Sequence, residues 1–394
     1  MKILWVKTDF LHPPTRGGQI RTLEMLRHLR RRHEIHYVAF ETPSQPEGVA
    51  RSGEYSTRAY PVAQQIPDKR SLAFAAELAL GWVTSLPVTV RRYRSPAMRR
   101  VLEGLLREQD FDALVCDFIF PGVNLPEPAR WTVFQHNVET IVWRRHAETA
   151  KDPLRRLYFG LQARRMFEFE RWLCLAARKV VAVTDADVKS MRELFSLSRV
   201  AAVSTGVDTE YFAGPASPPR VADLEFVGSM DWMANIDGAS WFLDEVLPRI
   251  RRRKPECSLA IVGRNPPPAL VARLERKSGV MVTGTVPDVR PYLWGSSVSI
   301  VPLRVGSGTR LKIFEAMAAG IPVVSTAIGA EGLPVRSGET LLLADTAEAF
   351  AARCVELLAD AQQRERLTRA AHDLVASRYS WDAVAREFER QLIE

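Results

Sequence analysis

Short apolar segments alternate along the chain with longer stretches in which apolar residues recur every three or four positions. In the first half, the apolar segments cover residues 3–6, 35–40, 114–116, 132–135 and 180–183, and a helical pattern covers residues 19–31. The alternation starts again in the second half, with apolar segments at residues 224–227, 259–262, 280–282, 299–302 and 322–325. Continuous apolar strands that alternate with amphipathic helices are typical of parallel sheets buried on both faces. The pattern therefore predicts an α/β protein with two doubly wound parallel sheets.

The length of the chain and one loop-like stretch predict two domains. A chain of 394 residues is too long for a single hydrophobic core and suits two domains. Glycines and prolines cluster between the two halves, at Gly206, Gly214, Pro215, Pro218 and Pro219. We predict an N-terminal domain over residues 1–205, a linker over residues 206–220, a C-terminal domain over residues 221–379 and a final helix over about residues 380–394.

The composition predicts a cytoplasmic protein that has no metal cofactor. With 46% hydrophobic and 25% charged residues, the chain has the composition of a soluble globular protein. No apolar run reaches the roughly 18 residues of a membrane-spanning helix, and the first run is too short for a signal peptide. The four cysteines, at positions 116, 174, 257 and 354, lie far apart without a C-x-x-C pair. This spacing indicates free thiols and argues against a metal site.

The positive charge is concentrated in the first half of the chain. Residues 1–205 contain 32 lysines and arginines against 22 acidic residues, whereas the remainder contains 22 against 24. Paired arginines on such a surface favour an anionic partner, and we predict the phosphates of a membrane. Nucleic acid is the competing explanation, but no recognition motif supports it. Residues 71–100 are mostly apolar and end in arginines, which suits either a bilayer interface around Trp82 or a buried helical hairpin.

A glycine-spaced loop followed by a helix is the strongest chemical signal in the chain. The loop, residues 306–309, comes directly after an apolar strand, and the helix that follows carries Arg310, Lys312 and Glu315. Glycines let backbone N–H groups approach a ligand, and the positive end of the helix dipole favours an anion. The segment therefore predicts a diphosphate site, with Glu315 placed to accept hydrogen bonds from the two hydroxyls of a ribose.

The same segment resembles a known family. Residues 315–324, EAMAAGIPVV, are similar to the phrase E-A-M-A-x-G-x-P-V-V of the retaining GT-B glycosyltransferases of family 4. In that family a second glutamate stands eight residues earlier, where this chain has Ser307. The resemblance implies that the donor sugar is held mainly by the backbone amides of Ser307, Gly308 and Thr309.

The resemblance also implies an architecture and a set of partners. It implies a GT-B fold, in which two Rossmann-like domains face a cleft and the final helix packs back on the first domain. A nucleotide diphosphate sugar would bind the C-terminal domain, and a glycan or lipid-linked acceptor would bind the N-terminal domain. No metal or other cofactor is expected, because positive side chains and helix ends neutralise the diphosphate.

In the N-terminal half, two segments are similar to the family's loops. Gly17 and Gly18 lie between the first strand and the first helix, where their amides can meet a phosphate or a sugar of the donor. Arg16, beside them, is a candidate contact to the acceptor. His136 and Glu139 belong to an H-N-x-E phrase after a buried strand; the resemblance places His136 beside the donor sugar and suggests Glu139 as an acceptor contact.

In the C-terminal half, the chain departs from the family at its first strand end. Gly228 matches, but the arginine and lysine that usually follow it are missing, so the charge would come from the helix after the glycine loop. Arg264 follows the next strand end and is a candidate neighbour of the nucleobase. Thr285 and Val286 resemble positions whose backbone contacts the edge of the base.

These features predict a metal-independent glycosyltransferase that retains the configuration of the donor sugar and acts in bacterial envelope or exopolysaccharide synthesis. The predicted catalytic residues are His136, Arg310 and Lys312. Two other classes remain open: a sugar-nucleotide epimerase, which needs carboxylates near the sugar, and a catalytically silent binding protein, since the Ser307 replacement removes a carboxylate from the site. We also predict that the basic half associates peripherally with the inner face of the plasma membrane.

Overall fold

A computed structural model of the chain divides into two compact units. It describes residues 1–14, 17–42, 46–64, 71–150, 152–275, 277–305 and 311–394. The first unit comprises residues Met1–Ser204 together with Val384–Glu394, and the second comprises Thr205–Ala383. Within the described residues, no helix is both long enough and apolar enough to cross a membrane.

The first unit is built on a seven-stranded parallel sheet with the strand order β3-β2-β1-β4-β5-β6-β7. The strands are β1 (Lys2–Val6), β2 (Glu34–Glu41), β3 (Arg58–Ala63), β4 (Ala113–Asp117), β5 (Trp131–Phe134), β6 (Lys179–Ala182) and β7 (Val200–Ala202). The helices are α1 (Gly17–Arg30), α2 (Glu47–Ala50), α3 (Leu72–Leu80), α4 (Val88–Arg91), α5 (Pro96–Glu108), α6 (Glu139–Thr149), α7 (Pro153–Ala176) and α8 (Asp185–Phe195).

The central strands of this sheet are covered on both faces, as their apolar sequences require. Every residue of β4 and β5 is buried, and β1 is buried after its first residue. The last segment of the chain contributes to this core, because Phe388 packs against Trp5 and Phe134 with ring centroids 5.5 Å and 4.9 Å apart. The core therefore fixes the ends of β1, β4 and β5, where the polar residues of interest lie.

The second unit contains a six-stranded parallel sheet with the order β10-β9-β8-β11-β12-β13. The strands are β8 (Ala222–Val227), β9 (Leu259–Val262), β10 (Val280–Val282), β11 (Ser296–Val301), β12 (Val323–Ser325) and β13 (Leu342–Leu343). The helices are α9 (Thr209–Phe212), α10 (Met233–Trp241), α11 (Leu247–Arg251), α12 (Pro268–Glu275), α13 (Arg290–Trp294), α14 (Leu311–Ala318), α15 (Ala347–Ala359) and α16 (Ala361–Arg378). A last helix, α17 (Trp381–Ile393), ends the chain.

Both sheets confirm the predicted α/β class with doubly wound parallel strands. The prediction missed β3, β7 and β13, which are edge or near-edge strands. β3 is partly exposed and contains Pro61, so its sequence lacks the continuous apolar run of a central strand. The predicted first helix was also displaced, because α1 begins at Gly17, so that Gly17 and Gly18 form its first turn instead of preceding it.

Candidate active site

The strand order of each unit reverses at one position, and ligands of open α/β sheets bind there, at the carboxyl ends of the strands. In the first unit the reversal falls between β1 and β4, which pair side by side. Lys7 follows the last residue of β1, and Asp117 is the last residue of β4. These two residues therefore meet at the place where the topology predicts a ligand.

Asp117 is the centre of a buried polar cluster, which we call the N-terminal site. Its side chain is fully buried. Oδ1 accepts a hydrogen bond from Nζ of Lys7 at 2.9 Å, and Oδ2 accepts bonds from Nε1 of Trp5 at 3.0 Å and from Oγ1 of Thr22 at 2.7 Å. Burial by itself would raise the pKa of Asp117, but the Lys7 ammonium and His136 hold that pKa below its usual value. Asp117 is therefore a fully satisfied anion.

His136 completes this cluster, and its protonation follows from its neighbours. Nε2 lies 2.8 Å from Oδ1 of Asp117, and Nη1 of Arg21 lies 3.3 Å from Nδ1. Because a guanidinium can only donate, Nδ1 is the acceptor and the proton belongs on Nε2, facing Asp117. Burial lowers the pKa of His136 to about 3; Asp117 opposes this shift, whereas Lys7 and Arg21 add to it. The imidazole is therefore neutral at ordinary pH.

The first turn of α1 lies against this histidine. A Cβ atom at Gly18 would sit 3.0 Å from the ring of Phe118 and 3.5 Å from Nδ1 of His136, so the glycine allows the close approach. The Phe118 ring in turn stacks on the imidazole, with centroids 4.1 Å apart. At Gly17 a Cβ atom would meet nothing within 4 Å. The structure thus brings Gly18 and His136 together, while Arg16 lies outside the described residues.

Glu170 on α7 fixes the segment that carries His136. Its carboxylate accepts hydrogen bonds from the amides of Glu139 and Thr140, at 3.0 Å and 2.8 Å, and from Nε2 of Gln135 at 3.0 Å. The two amides belong to the first turn of α6, whose N–H groups have no partner within the helix. Glu139, the predicted acceptor contact, is itself buried, and burial raises its pKa. Its contact with an acceptor stays a prediction.

In the second unit the strand order reverses between β8 and β11, and Gly228 follows the last residue of β8. Nζ of Lys312 donates to Oδ1 of Asn235 at 2.8 Å and lies 4.5 Å from the centroid of the Phe226 ring. A Cβ atom at Gly228 would lie only 2.8 Å from Nζ of Lys312 and from Nδ2 of Asn235. The glycine therefore leaves room for the lysine ammonium at the end of β8.

Two carboxylates lie near this lysine, and together these residues form what we call the C-terminal site: Glu225, Gly228, Asn235, Lys312 and Glu315. Glu315 lies on α14, and burial raises its pKa while Lys312 opposes the rise. Glu225 is completely buried on β8. Burial raises the pKa of Glu225 to about 7, while a hydrogen bond with Ser299 and the charge of Lys312 limit the rise.

The remaining predicted contacts lie at the ends of β9 and β10. Arg264 is exposed; its Nε donates to Oγ of Ser229 at 2.8 Å and lies 3.5 Å from Oδ2 of Asp231. Thr285 is exposed, whereas Val286 is half buried and packs against the buried cluster of Ala222, Ala260 and Val262. That Arg264, Thr285 and Val286 contact the base stays a prediction. Ser307, Gly308, Thr309 and Arg310 fall outside the described residues.

Sequence reasoning missed several members of the two sites, although a signal was present for some of them. Glu225 is a charged residue inside an apolar strand, and Lys7 directly follows the first strand. Arg21 and Asn235 carry no such signal, since each is one polar residue of a helix. Among the described residues, no group of three or more histidines, cysteines, aspartates and glutamates is arranged to hold a metal ion.

Part of the chain is similar to curated proteins. A relative of known name, the glycogen synthase of Mycobacterium tuberculosis, is 26% identical over 238 residues, which is 57% of this chain and 56% of that protein. The curated relatives that the chain matches are aligned over only 34% to 56% of their own length.

Solved structures cover the whole chain. The sucrose-phosphate synthase of Thermosynechococcus elongatus superimposes with a TM-score of 0.68 and 17% identity, over 99% of this chain and 98% of that one. Anabaena HepE in complex with UDP and glucose superimposes with a TM-score of 0.61 and 13% identity, over 100% and 99% of the two chains. Both likenesses show a shared fold.

Family models cover most of the chain. Residues 15–211 match glycosyltransferase family 4, and residues 222–360 match the glycosyl transferases group 1. The first match alone covers half of the chain. The chain therefore belongs to the group 1 and family 4 glycosyltransferases and has their GT-B fold.

Proposed function

We propose that this protein transfers a glycosyl group from a nucleotide diphosphate sugar to a glycan or lipid-linked acceptor. The observation that carries the proposal is the ammonium of Lys312, held by Asn235 at the carboxyl end of β8, over a glycine that leaves room for it. A fixed positive charge at the position where the strand order reverses suits a diphosphate. HepE, which shares the fold, was solved with UDP and glucose, which supports a nucleotide diphosphate as the ligand.

The donor would bind the second unit. Lys312 and, by the sequence, Arg310 would stabilise the negative charge that develops on the departing diphosphate. Glu315 would accept hydrogen bonds from the ribose, and Arg264, Thr285 and Val286 would border the base. The amides of residues 306–309 would contact the diphosphate and the donor sugar, with Ser307 in place of a carboxylate.

The acceptor would bind the first unit, with Arg16 and Glu139 as its predicted contacts, while Gly17, Gly18 and His136 would lie beside the phosphate or the sugar of the donor. His136 is suited to positioning instead of proton transfer, because its ring is neutral and both of its nitrogens already face protein groups. Asp117 is likewise fully occupied by its partners. A phosphate oxygen of the leaving group would then take the proton of the acceptor hydroxyl, which agrees with retention and with catalysis that uses no metal.

A role in envelope or exopolysaccharide synthesis at the inner face of the plasma membrane is part of this proposal. It rests on the resemblance to family 4 and on the excess of positive charge in the first half of the chain. A silent binding protein and an epimerase are the two competing functions. The epimerase is less favoured, because Asp117 is fully paired and Ser307 replaces the family's second glutamate. The silent binder would bind a nucleotide without transferring or hydrolysing the sugar.

Calorimetric titration with UDP, GDP, ADP and dTDP tests the donor site. We expect one nucleotide to bind, and Lys312→Met and Glu315→Ala each to weaken that binding at least about tenfold, since a desolvated charged contact is lost. Lys254→Met, which removes a lysine in the segment between α11 and β9, is the matched control and should bind as the wild type does. Absence of binding to all four nucleotides would overturn the proposal.

Product analysis then separates the functions. Release of the sugar or its transfer to an added acceptor, followed by nuclear magnetic resonance of the anomeric proton, distinguishes a retaining transferase from an inverting one. An altered sugar nucleotide without any acceptor would identify the epimerase. Activity that persists after chelation of divalent cations would support the metal-independent mechanism.

A further inference from the structure

The first unit carries an exposed apolar ridge, formed by Trp82, Val83, Leu154 and Leu157. Val83 is 79% exposed, Leu154 65%, Leu157 64% and Trp82 38%. Residues 152–157, including the first turn of α7, are all exposed, so this end of α7 projects from the body of the unit. The sequence of residues 71–100 suited either a bilayer interface or a buried helical hairpin. In the structure, the region around Trp82 lies on the surface.

The four ridge residues form one surface because the turn after α3 is attached to α7. Nε2 of Gln162 donates to the carbonyl of Gly81 at 2.8 Å, and Nη2 of Arg165 donates to the carbonyl of Trp82 at 2.9 Å. The rings of Trp82 and Tyr158 pack with centroids 5.1 Å apart. Tyr158 follows Leu154 by four residues, so the two share one face of α7. Trp82 and Val83 are therefore neighbours of the leucines.

Positive charge surrounds the ridge. Residues 144–171 contain eight lysines and arginines against four acidic residues. Arg155 and Arg156 stand between the two leucines in sequence and are both exposed. One of the four acids, Glu170, is buried and occupied by the amides of α6. The surface that exposes the apolar side chains therefore has an excess of positive charge.

A groove between α6 and α7 continues this surface. Its volume is about 370 Å³, and it is lined by the apolar or small residues Ala147, Gly160, Ala163 and Phe167 and by the charged residues Arg144, Glu148 and Arg164. Gly160 and Arg164 follow Leu157 by three and seven residues, so they extend the same stripe of the helix. Arginine at the edge of an apolar groove suits a phosphate group beside a hydrocarbon chain.

We propose that the ridge and its arginines bind the surface of an anionic lipid bilayer, with Leu154, Leu157 and Val83 entering the interface and the arginines contacting lipid phosphates. Leucine and tryptophan on one side and arginine beside them are the composition of helices that lie in a membrane interface. This inference deepens the membrane part of the proposed function by naming the surface. It depends on charge complementarity and on apolar exposure and does not depend on the chemistry of the donor.

Sedimentation of the full chain with vesicles tests the inference, without any nucleotide present. We expect binding to phosphatidylcholine vesicles that contain phosphatidylglycerol, at least about tenfold weaker binding to phosphatidylcholine alone, and loss of the preference at high salt. Leu154→Ser with Leu157→Ser should weaken binding about tenfold or more, and Arg155→Gln with Arg156→Gln should reduce the preference for anionic vesicles.

The control variant combines Ile393→Ser with Arg366→Gln and Arg369→Gln, which removes an exposed apolar residue and two arginines on other helices. It should bind vesicles as the wild type does. Circular dichroism and the nucleotide titration, carried out on each variant, establish that the fold and the donor site are intact, so that a failure of membrane binding is distinguished from a failure of the proposed function.

Equal binding to neutral and anionic vesicles would overturn the inference, as would undiminished binding of the leucine variant. A concentration-dependent dimer in sedimentation velocity that disappears in the leucine variant, without vesicle binding by the wild type, would assign the ridge to a second copy of the chain and would also overturn it.

Discussion

The two units place a buried acid on a central strand beside a lysine, yet the two acids have opposite electrostatic character. Asp117 in the first unit accepts hydrogen bonds from Lys7, Trp5 and Thr22. Glu225 in the second unit is also completely buried, but its contacts with Ser299 and Lys312 do not outweigh the effect of burial on its pKa. The pKa of Asp117 is consequently lowered, whereas that of Glu225 is raised to about 7.

The difference indicates two separate uses of a buried carboxylate. A satisfied anion fixes the side chains around it, and at the N-terminal site these are the groups that orient His136. A carboxyl whose burial outweighs its favourable contacts gains or loses its proton according to the charge nearby. Lys312 is shared between Glu225 and the proposed diphosphate, so the protonation of Glu225 should respond to the donor.

The largest expected effect comes from breaking the first cluster. Asp117→Asn leaves the buried Lys7 ammonium without its counter-charge, and we expect a loss of about 3–5 kcal/mol in the free energy of unfolding. Chemical denaturation measures this loss. Asp110→Asn, at an exposed aspartate after α5, is the control and should change stability by less than about 0.5 kcal/mol.

A double variant keeps this prediction informative if the single variant does not fold. Lys7→Met with Asp117→Asn removes both charges, so the protein should be more stable than Asp117→Asn alone. A double variant less stable than the single one would contradict the view that the unpaired lysine causes the loss.

The next largest effect concerns Glu225, whose substitution should raise the free energy of unfolding instead of lowering it. Because its folded-state pKa of about 7 exceeds the ordinary value of 4.5, the folded protein keeps the proton to a higher pH than the unfolded chain does. The stability from this group is therefore fully present below the ordinary pKa and is lost as the pH rises towards 7. Glu225→Gln should stabilise the protein at pH 8 by up to about 3 kcal/mol and change little at pH 5.

Thermal unfolding of both proteins between pH 5 and pH 8 measures this difference. Glu170, whose pKa burial also raises to about 7, titrates in both proteins, so its contribution cancels in the comparison. A stability difference that does not change with pH would exclude the assigned titration of Glu225.

A smaller effect links Glu225 to the donor. If a nucleotide diphosphate neutralises Lys312, the pKa of Glu225 should rise further, and binding near pH 7 should take up a fraction of a proton. Calorimetry in buffers of different ionisation enthalpy measures this uptake. The Glu225→Gln variant should lack the proton uptake that is due to Glu225 and keep the uptake that is due to the nucleotide. Equal proton uptake by the wild type and the variant would rule out the link.

The smallest expected effect on stability comes from Gly228→Ala. The new methyl group would meet the ends of the Lys312 and Asn235 side chains, which can move, so the loss should be about 1 kcal/mol or less. Nucleotide affinity should fall more clearly, because the ammonium is displaced from the end of β8. Gly104→Ala, where a Cβ atom would meet nothing within 4 Å, is the control. Unchanged affinity of Gly228→Ala would argue against a diphosphate at this position.

The sequence by itself determined the fold class and the approximate position of the sites along the chain. Apolar runs identified nearly all central strands, because a strand buried on both faces tolerates few polar residues. Edge strands such as β3 were not predicted, because one side of such a strand faces solvent. The phrase at residues 315–324 indicated the family, and the matches to residues 15–211 and 222–360 confirmed it.

Only the tertiary structure decided which side chains act together. Asp117 ends a strand, Arg21 lies on a helix, and Lys7 and His136 follow two other strands. Their contacts depend on the strand order of the sheet, which the sequence does not give. Burial likewise raises the pKa of Glu225 above that of an ordinary glutamate. A pattern of residue types records which groups are present, whereas the partners and the solvent around each group depend on contacts between segments far apart in the chain.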